Sequence, residues 1–132
     1  MSQDYGLRTT LDVPYETAIE QVTAALKTEG FGVLTEIDVK ATLKKKLDVD
    51  FRRYIILGAC NPNMAHQALQ VELELGLLLP CNVIVYENDA QQSVVSVVDP
   101  VMMMSVVDND ALTTVAHDVK ARLQRVVAAL NN

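Results

Sequence analysis

The chain has 132 residues, of which 50% are hydrophobic and 21% are charged, and its net charge is −6 at pH 7. This length fits one domain, residues 1–132, which buries enough apolar surface to fold without a disulfide or a structural metal. The acidity argues against nucleic acid as a partner. The chain has no run of ~20 apolar residues, which argues against a membrane protein. It also shows no N-terminal secretion signal, so we expect a cytoplasmic protein.

The N-terminal part of the chain predicts a strand followed by an amphipathic helix. Residues 5–11 alternate weakly between apolar and polar side chains, which is typical of an edge strand. Pro14 suits the first turn of a helix, and apolar residues then recur at helical spacing as far as Leu26. Because glycine commonly ends a helix, we expect this one to end at Gly30.

The next segment predicts a strand and a short helix. Residues 31–37 form the strand. Asp38 can accept a hydrogen bond from the first turn of a following helix, which we place over residues 39–47. The buried stripe of that helix is expected to consist of Val39, Leu43 and Leu47.

The middle of the chain predicts a second pair of a strand and a helix. Residues 51–59 form the strand. Asn61 is a suitable N-cap, and Pro62 suits the first position of a helix over residues 62–73. We expect Gly76 to terminate this helix.

The C-terminal part predicts a hairpin and a long helix. The β-branched runs 81–87 and 93–98 are separated by five residues, which is typical of a hairpin. The segment VMMMSVV, residues 101–107, shows neither the spacing of apolar residues that is typical of a helix nor the alternation that is typical of a strand. Asp108 or Asp110 then begins an amphipathic helix that continues to about residue 130. Together these elements predict an α+β fold with two layers, helices packed on a mainly antiparallel five-stranded sheet.

Three segments resemble a known bacterial family: FGVLTEIDVKATLKKKLDVDFRRYIILGACNP (31–62), LGLLLPCNVIVYE (75–87) and VVDPVMMM (97–104). The family is domain of unknown function 302, and the resemblance extends from about residue 5 to residue 130. It implies a β-α-β(4)-α fold of the TATA-binding-protein-like kind with extra short helices, and a homodimer. It implies no established activity, so the function has to be argued from the residues.

The two cysteines are the first candidate site. Cys60 ends a predicted strand just before the Asn61–Pro62 helix start, where a helix N-terminus favours the thiolate. Cys81 and Asn82 begin the next strand. If these two strands are antiparallel neighbours, the thiols lie at the same end of the sheet, which is the arrangement we predict because a hairpin follows. Alternatively, each cysteine is a small buried apolar residue, and both are expected to be reduced.

The second candidate site is a basic segment within the acidic chain. Six of the eleven basic residues fall between positions 40 and 53, and we call them the basic segment: Lys40, Lys44, Lys45, Lys46, Arg52 and Arg53. The last five are candidates for binding a small anionic ligand, such as a phosphate or a carboxylate. The alternative is the solvated face of a short helix.

Other reactive side chains carry weaker signals. Met102, Met103 and Met104 suggest a soft metal such as copper(I), but adjacent residues cannot all point at one ion, so we expect them to fill the core or an interface. His66 and His117 fall on polar helix faces. The chain has no glycine-rich phosphate loop and no protease or esterase motif, so we predict no catalytic residue and no metal ligand, and the cofactor is unknown.

We expect a non-enzymatic small-ligand-binding or accessory module, a homodimer, with its site near Cys60, Asn61, Pro62, Cys81 and Asn82. The alternative is a thiol-dependent redox or soft-metal-binding protein that uses the same residues. The third hypothesis is a purely structural oligomerisation domain. Reactive thiols would favour the alternative, and inert buried thiols would favour the binding module.

Overall fold

A computed structural model describes residues 4–131 of the chain. The strands are β1 (Gly6–Leu11), β2 (Gly32–Asp38), β3 (Tyr54–Cys60), β4 (Cys81–Glu87) and β5 (Ser93–Val98). The helices are α1 (Tyr15–Thr28), α2 (Val39–Leu47), α3 (Pro62–Val71), α4 (Pro100–Met104) and α5 (Asp110–Leu130), with a 3-10 helix at Leu73–Leu78. No helix within residues 4–131 is long and apolar enough to cross a bilayer.

The five strands form one sheet in the order β1-β5-β4-β3-β2, and every neighbouring pair is antiparallel. Strands β4 and β5 form the predicted hairpin, with Val85 opposite Val95. Helices α1 and α5 pack on one face of this sheet. The predicted α+β class, with a mainly antiparallel sheet, is confirmed.

The helices begin where short polar side chains accept hydrogen bonds from backbone N–H groups. Asp38 accepts from Ala41 N at 2.9 Å and begins α2, and Asn61 accepts from Met64 N at 3.3 Å and begins α3. Both caps agree with the sequence predictions. At the end of α1, Gly30 has a φ of 85°, which glycine adopts without the steric cost that a Cβ would add.

The interior consists of two clusters of buried side chains. The larger cluster lies between the sheet and helices α1 and α5, and it includes Val22, Leu57, Val83 and Leu123. The smaller cluster joins α3, the 3-10 helix, α4 and α5 through Ala68, Leu75, Met104, Leu112 and Ala116. Met103 contacts both clusters. Met103 and Met104 of the methionine run therefore fill the core, as expected, whereas Met102 belongs to neither cluster.

Some predictions about individual elements were wrong. Helix α2 buries no residue, and Leu47 is 66% exposed, because α2 lies at the edge of the fold and contacts mainly β2 and β3. The helix before Gly76 ends at Val71, and Gly76 itself lies within the 3-10 helix. Strand β3 begins at Tyr54 rather than at residue 51.

Candidate functional site

The two cysteines lie at the same end of the sheet. Strands β3 and β4 are antiparallel neighbours, and Ala59 pairs directly with Cys81, so Cys60 follows one residue beyond that pair. On the other side, Cys60 pairs with Gly32 of β2. Both thiols are free; Cys81 is only 6% exposed, whereas Cys60 is partly exposed. The predicted juxtaposition of the two strand ends agrees with the structure.

The chain between the cysteines forms one wall of a cavity. After Cys60, Asn61 begins α3, and the 3-10 helix and Pro80 then return the chain to the start of β4. Above this strand end lies a cavity of about 320 Å³, which we call the thiol cavity. It lies at the junction of the two core clusters, because its walls include Ala59 and Val119 from the larger cluster and Ala68 and Met104 from the smaller one.

The lining of the thiol cavity is almost entirely apolar. Its larger apolar side chains are Phe31, Leu34, Met64, Leu69, Leu79 and Val115. The polar side chains on its wall are Thr35, Asn61 and the thiols of Cys60 and Cys81. A concave apolar space with few polar groups is the usual form of a small-molecule site.

Not every residue of the sequence-predicted site reaches this cavity. Cys60, Asn61 and Cys81 line it. Pro62 and Asn82 do not; both side chains are exposed. Pro62 occupies the first turn of α3, and Asn82 pairs with Gly58 inside the sheet.

The Cys81 thiol is protonated at neutral pH. Burial, together with a smaller effect of the neighbouring Cys60, raises its pKa to about 11. A protonated thiol is a weak nucleophile and a poor metal ligand. Within residues 4–131, moreover, no group of three histidine, cysteine, aspartate or glutamate side chains is placed to hold a metal ion.

A polar cluster borders the thiol cavity at the end of α1, and we call it the Glu29 cluster: Glu29, Asn61, Arg122 and Arg125. The backbone carbonyl of Glu29 accepts hydrogen bonds from Asn61 Nδ2 and from an Arg122 terminal nitrogen, each at 3.3 Å. The Glu29 carboxylate pairs with Arg125 at 2.9 Å, and this hydrogen bond holds the pKa of Glu29 below its usual value.

Sequence reasoning missed the Glu29 cluster, as well as the contribution of α5 to the cavity wall. Val115 and Val119 belong to the apolar stripe of α5. Helical periodicity predicts that this stripe is buried, but it does not predict which other elements the stripe contacts. Arg122 and Arg125 show no local motif. Their partner Glu29 lies more than ninety residues away along the chain, so no spacing rule could have joined them.

The basic segment lies away from this site. It surrounds α2 and the start of β3, whereas Cys60 ends β3. Three of its side chains already pair with carboxylates: Lys44 with Asp48 at 2.9 Å, Arg52 with Asp89 at 3.1 Å, and Arg53 with Glu16 at 3.5 Å. Lys45 and Lys46 are exposed. Anion binding by these residues stays a prediction, and an anion there would compete with carboxylates of the chain itself.

The remaining reactive side chains lie outside the cavity. His66 and His117 are exposed, as their helical positions predicted. The buried carboxylate of Asp99 accepts hydrogen bonds from the first backbone N–H groups of α4 and pairs with Lys120 at 2.9 Å. Burial opposes its ionisation, but the bonds from Lys120 and the backbone prevail and lower its pKa.

Comparisons with known proteins agree with this fold. The chain is similar to a solved structure from Bacillus stearothermophilus, described as an uncharacterized conserved protein DUF302, at 29% sequence identity and a TM-score of 0.90. The similarity covers 97% of this chain and 99% of that chain. No curated protein matches the sequence. The family model described as domain of unknown function DUF302 matches residues 7–130, and the chain belongs to this family.

Proposed function

We propose that the protein is a non-enzymatic binding module that holds a small, mainly apolar ligand in the thiol cavity. The observation that carries this proposal is a preformed apolar space of about 320 Å³ at the junction of two core clusters. The space is open on one side, so its apolar wall is in contact with water when no ligand is bound. An apolar occupant would remove that wall from water, which is favourable.

The volume limits the size of the ligand. Small-molecule sites usually range from roughly 300 to 1,000 Å³, so this cavity is at the small end. At roughly 30 Å³ for each water-sized group, about ten non-hydrogen atoms fit inside it. A medium-length aliphatic chain or a single aromatic ring satisfies this limit, whereas a dinucleotide or a haem does not.

A direct test uses 1-octanol as an uncharged probe and follows backbone amide shifts by NMR. The shifts should concentrate on residues that line the cavity, such as Ala59, Met64 and Ala68. Replacing Ala65, a half-buried lining residue of α3, by leucine should fill part of the cavity and weaken binding at least tenfold. Ala24→Leu is the matched control, because Ala24 is an exposed position of α1 away from the cavity.

Two outcomes would contradict the proposal. One is that 1-octanol causes no shift at concentrations near its solubility limit. The other is that Ala65→Leu and Ala24→Leu bind the probe equally well, because the probe would then occupy some other surface. Wild-type melting temperatures in both variants would show that neither result comes from unfolding.

The second candidate is a thiol-dependent redox or soft-metal function, and the placement of Cys60 and Cys81 on one cavity wall favours it. The raised pKa of Cys81 weighs against it, because a metal ligand or nucleophile acts as the thiolate. Titration with copper(I) against a chromophoric chelator separates the two candidates. Tight binding that is lost in Cys60→Ser and Cys81→Ser would replace the first proposal by the second.

We also propose that the protein is a cytoplasmic homodimer. Free cysteines suit a reducing compartment. Large apolar side chains are exposed in the single chain, among them Leu34 at 67% and Leu73 and Leu77 at 83% each, and a closed two-fold assembly is the commonest way to cover such groups. A monomer mass by light scattering at micromolar concentration would contradict the dimer.

A further inference from the structure

We infer that the homodimer forms through the face of the sheet opposite helices α1 and α5, with this face of one copy packed on the same face of a second copy. The inference rests on the proposed homodimer, because it names the surface through which the two copies associate. We call this surface the outer face, and its apolar side chains are Tyr54, Ile56, Ile84, Tyr86, Ile37 and Val94.

The strand register places these side chains away from the two helices. Leu57 of β3 is fully buried in the larger core cluster. Because successive side chains of a strand point to opposite faces, its neighbour Ile56 points away from that cluster, together with the paired residue Ile84. The same holds for the next pair, Tyr54 and Tyr86, whose rings stack with their centroids 5.4 Å apart. None of these four paired residues belongs to either core cluster.

The middle of the sheet is apolar on both of its faces. An antiparallel sheet with one face in solvent usually alternates apolar and polar residues along each strand. Strands β3 and β4 instead contain the unbroken apolar runs YIIL (54–57) and VIVY (83–86), which are typical of strands that are buried on both faces. Beside them on β2, Ile37 is 50% exposed in the single chain. We therefore expect a second layer over the outer face.

Polar side chains surround this apolar centre. Arg8 and Thr10 lie on the edge strand β1, and Asn82 lies at the start of β4. Of the strand residues on the outer face within residues 4–131, Arg8 alone is charged, and it pairs with Asp4 at 2.8 Å. An apolar centre that contains aromatic residues, few charges and a polar rim is the usual composition of a protein–protein interface. A face without a free charge offers a foreign partner no charge complementarity, whereas two identical apolar faces need none.

The area of the outer face is sufficient for a dimer. Its five strands have six or seven residues each. At about 3.3 Å per residue and about 4.8 Å between strands, they cover a flat area of roughly 500 Å². Two copies packed face to face therefore bury roughly 1,000 Å² before surface relief is counted, which reaches the lower bound for a specific interface. Phe51, whose ring centroid lies 6.2 Å from that of Tyr54, is 40% exposed and extends the apolar area.

A charge at the centre of the outer face tests the inference. In Ile84→Lys, two-fold symmetry places two lysines in the interface, and burying unpaired charges is costly. Analytical ultracentrifugation should show a dimer dissociation constant at least roughly 100-fold higher than that of the wild type. Tyr54→Lys on the neighbouring strand should have the same effect, so the result does not depend on the folding of one variant. Ile84→Val keeps an apolar side chain in place and should stay dimeric. Circular dichroism shows whether each variant is folded.

Val106→Lys is the matched control, because Val106 is 75% exposed in the loop after α4, and it should leave the dissociation constant unchanged. Leu77→Lys tests the exposed surface of the 3-10 helix. If the wild type is a monomer, the proposed homodimer itself is wrong. If Leu77→Lys rather than Ile84→Lys separates the two copies, the homodimer stands and the outer face is refuted as its interface. Folded Ile84→Lys and Tyr54→Lys variants that stay dimeric refute it as well.

Discussion

A methyl group added at Gly58 tests the packing next to the thiol cavity. Gly58 lies in β3, between Thr35 of β2 and Asn82 of β4. A Cβ at this position would collide with the Thr35 hydroxyl oxygen and would lie 2.7 Å from Cγ of the Pro80 ring. A change of ring pucker is the only internal freedom that the Pro80 side chain has, so Gly58→Ala is expected to displace the segment that leads into β4.

The expected size of the effect follows from this geometry. Overpacking a well-packed interior typically costs about 1–3 kcal/mol, and two simultaneous contacts, one of them with a rigid ring, favour the upper half of that range. Gly32→Ala is the matched control on the neighbouring strand, because a Cβ at Gly32 meets no atom within 4 Å. Removing backbone freedom from the unfolded chain should make that variant more stable by about 0.4–1 kcal/mol.

Urea unfolding followed by circular dichroism measures both variants. With a slope of about 1.5 kcal/mol per molar urea for a domain of this size, Gly58→Ala should lower the midpoint by about 1–2 M, while Gly32→Ala should raise it slightly. Adding Thr35→Ala to Gly58→Ala should restore part of the loss, since one of the two collisions disappears. Equal midpoints for the two alanine variants would refute the reasoning.

Three further predictions concern charge and thiol chemistry. Asp99→Asn keeps the cap of α4 but removes the charge that pairs with Lys120, and it should cost about 2 kcal/mol in urea unfolding at pH 7. Because the folded-state pKa of Asp99 lies below its ordinary 3.8, the charge stabilises the fold fully above that pH, and the difference between wild type and variant should shrink as the pH falls below 3.8; a difference that does not shrink there would contradict this. In the wild type, Cys81 should react with iodoacetamide at pH 8 about 100-fold more slowly than an unfolded cysteine, since burial and the neighbouring Cys60 raise its pKa from 9.0 to about 11; equal rates for the peptide that contains Cys81, measured by mass spectrometry, would disprove it. If the basic segment binds anions, phosphate should raise the melting temperature more than chloride at equal ionic strength, and identical melting temperatures would leave only a solvated face.

The candidate site was partly predictable from the sequence. The end of one strand at Cys60, the cap at Asn61 and the start of the next strand at Cys81 are all local features, and an antiparallel arrangement then places the two thiols at the same end of the sheet. Their chemistry was less predictable. The helix start beside Cys60 suggested a reactive thiolate at that residue. In the structure, Cys81 is buried, and this burial raises its pKa. Burial depends on what packs over a strand end, and strand periodicity carries no information about that.

The features that depend on neighbouring residues could be predicted from the sequence. The caps at Asp38 and Asn61 act over three residues, and the hairpin of β4 and β5 closes through a five-residue loop. Such interactions are encoded within one short window, so residue type and spacing are sufficient to predict them. The α+β class follows from the same local elements, because their apolar faces require two layers.

The thiol cavity and the Glu29 cluster arise from tertiary packing. The cavity wall combines β3, α3 and α5. The cluster joins Glu29 to Asn61 and also to Arg122, which lies more than ninety residues further along the chain than Glu29. An unfilled space arises where the side chains of two core clusters fail to meet, and a buried donor such as Arg122 Nε is recognised only when every neighbouring atom is in place. Both properties depend on packing between remote segments, which no local pattern specifies.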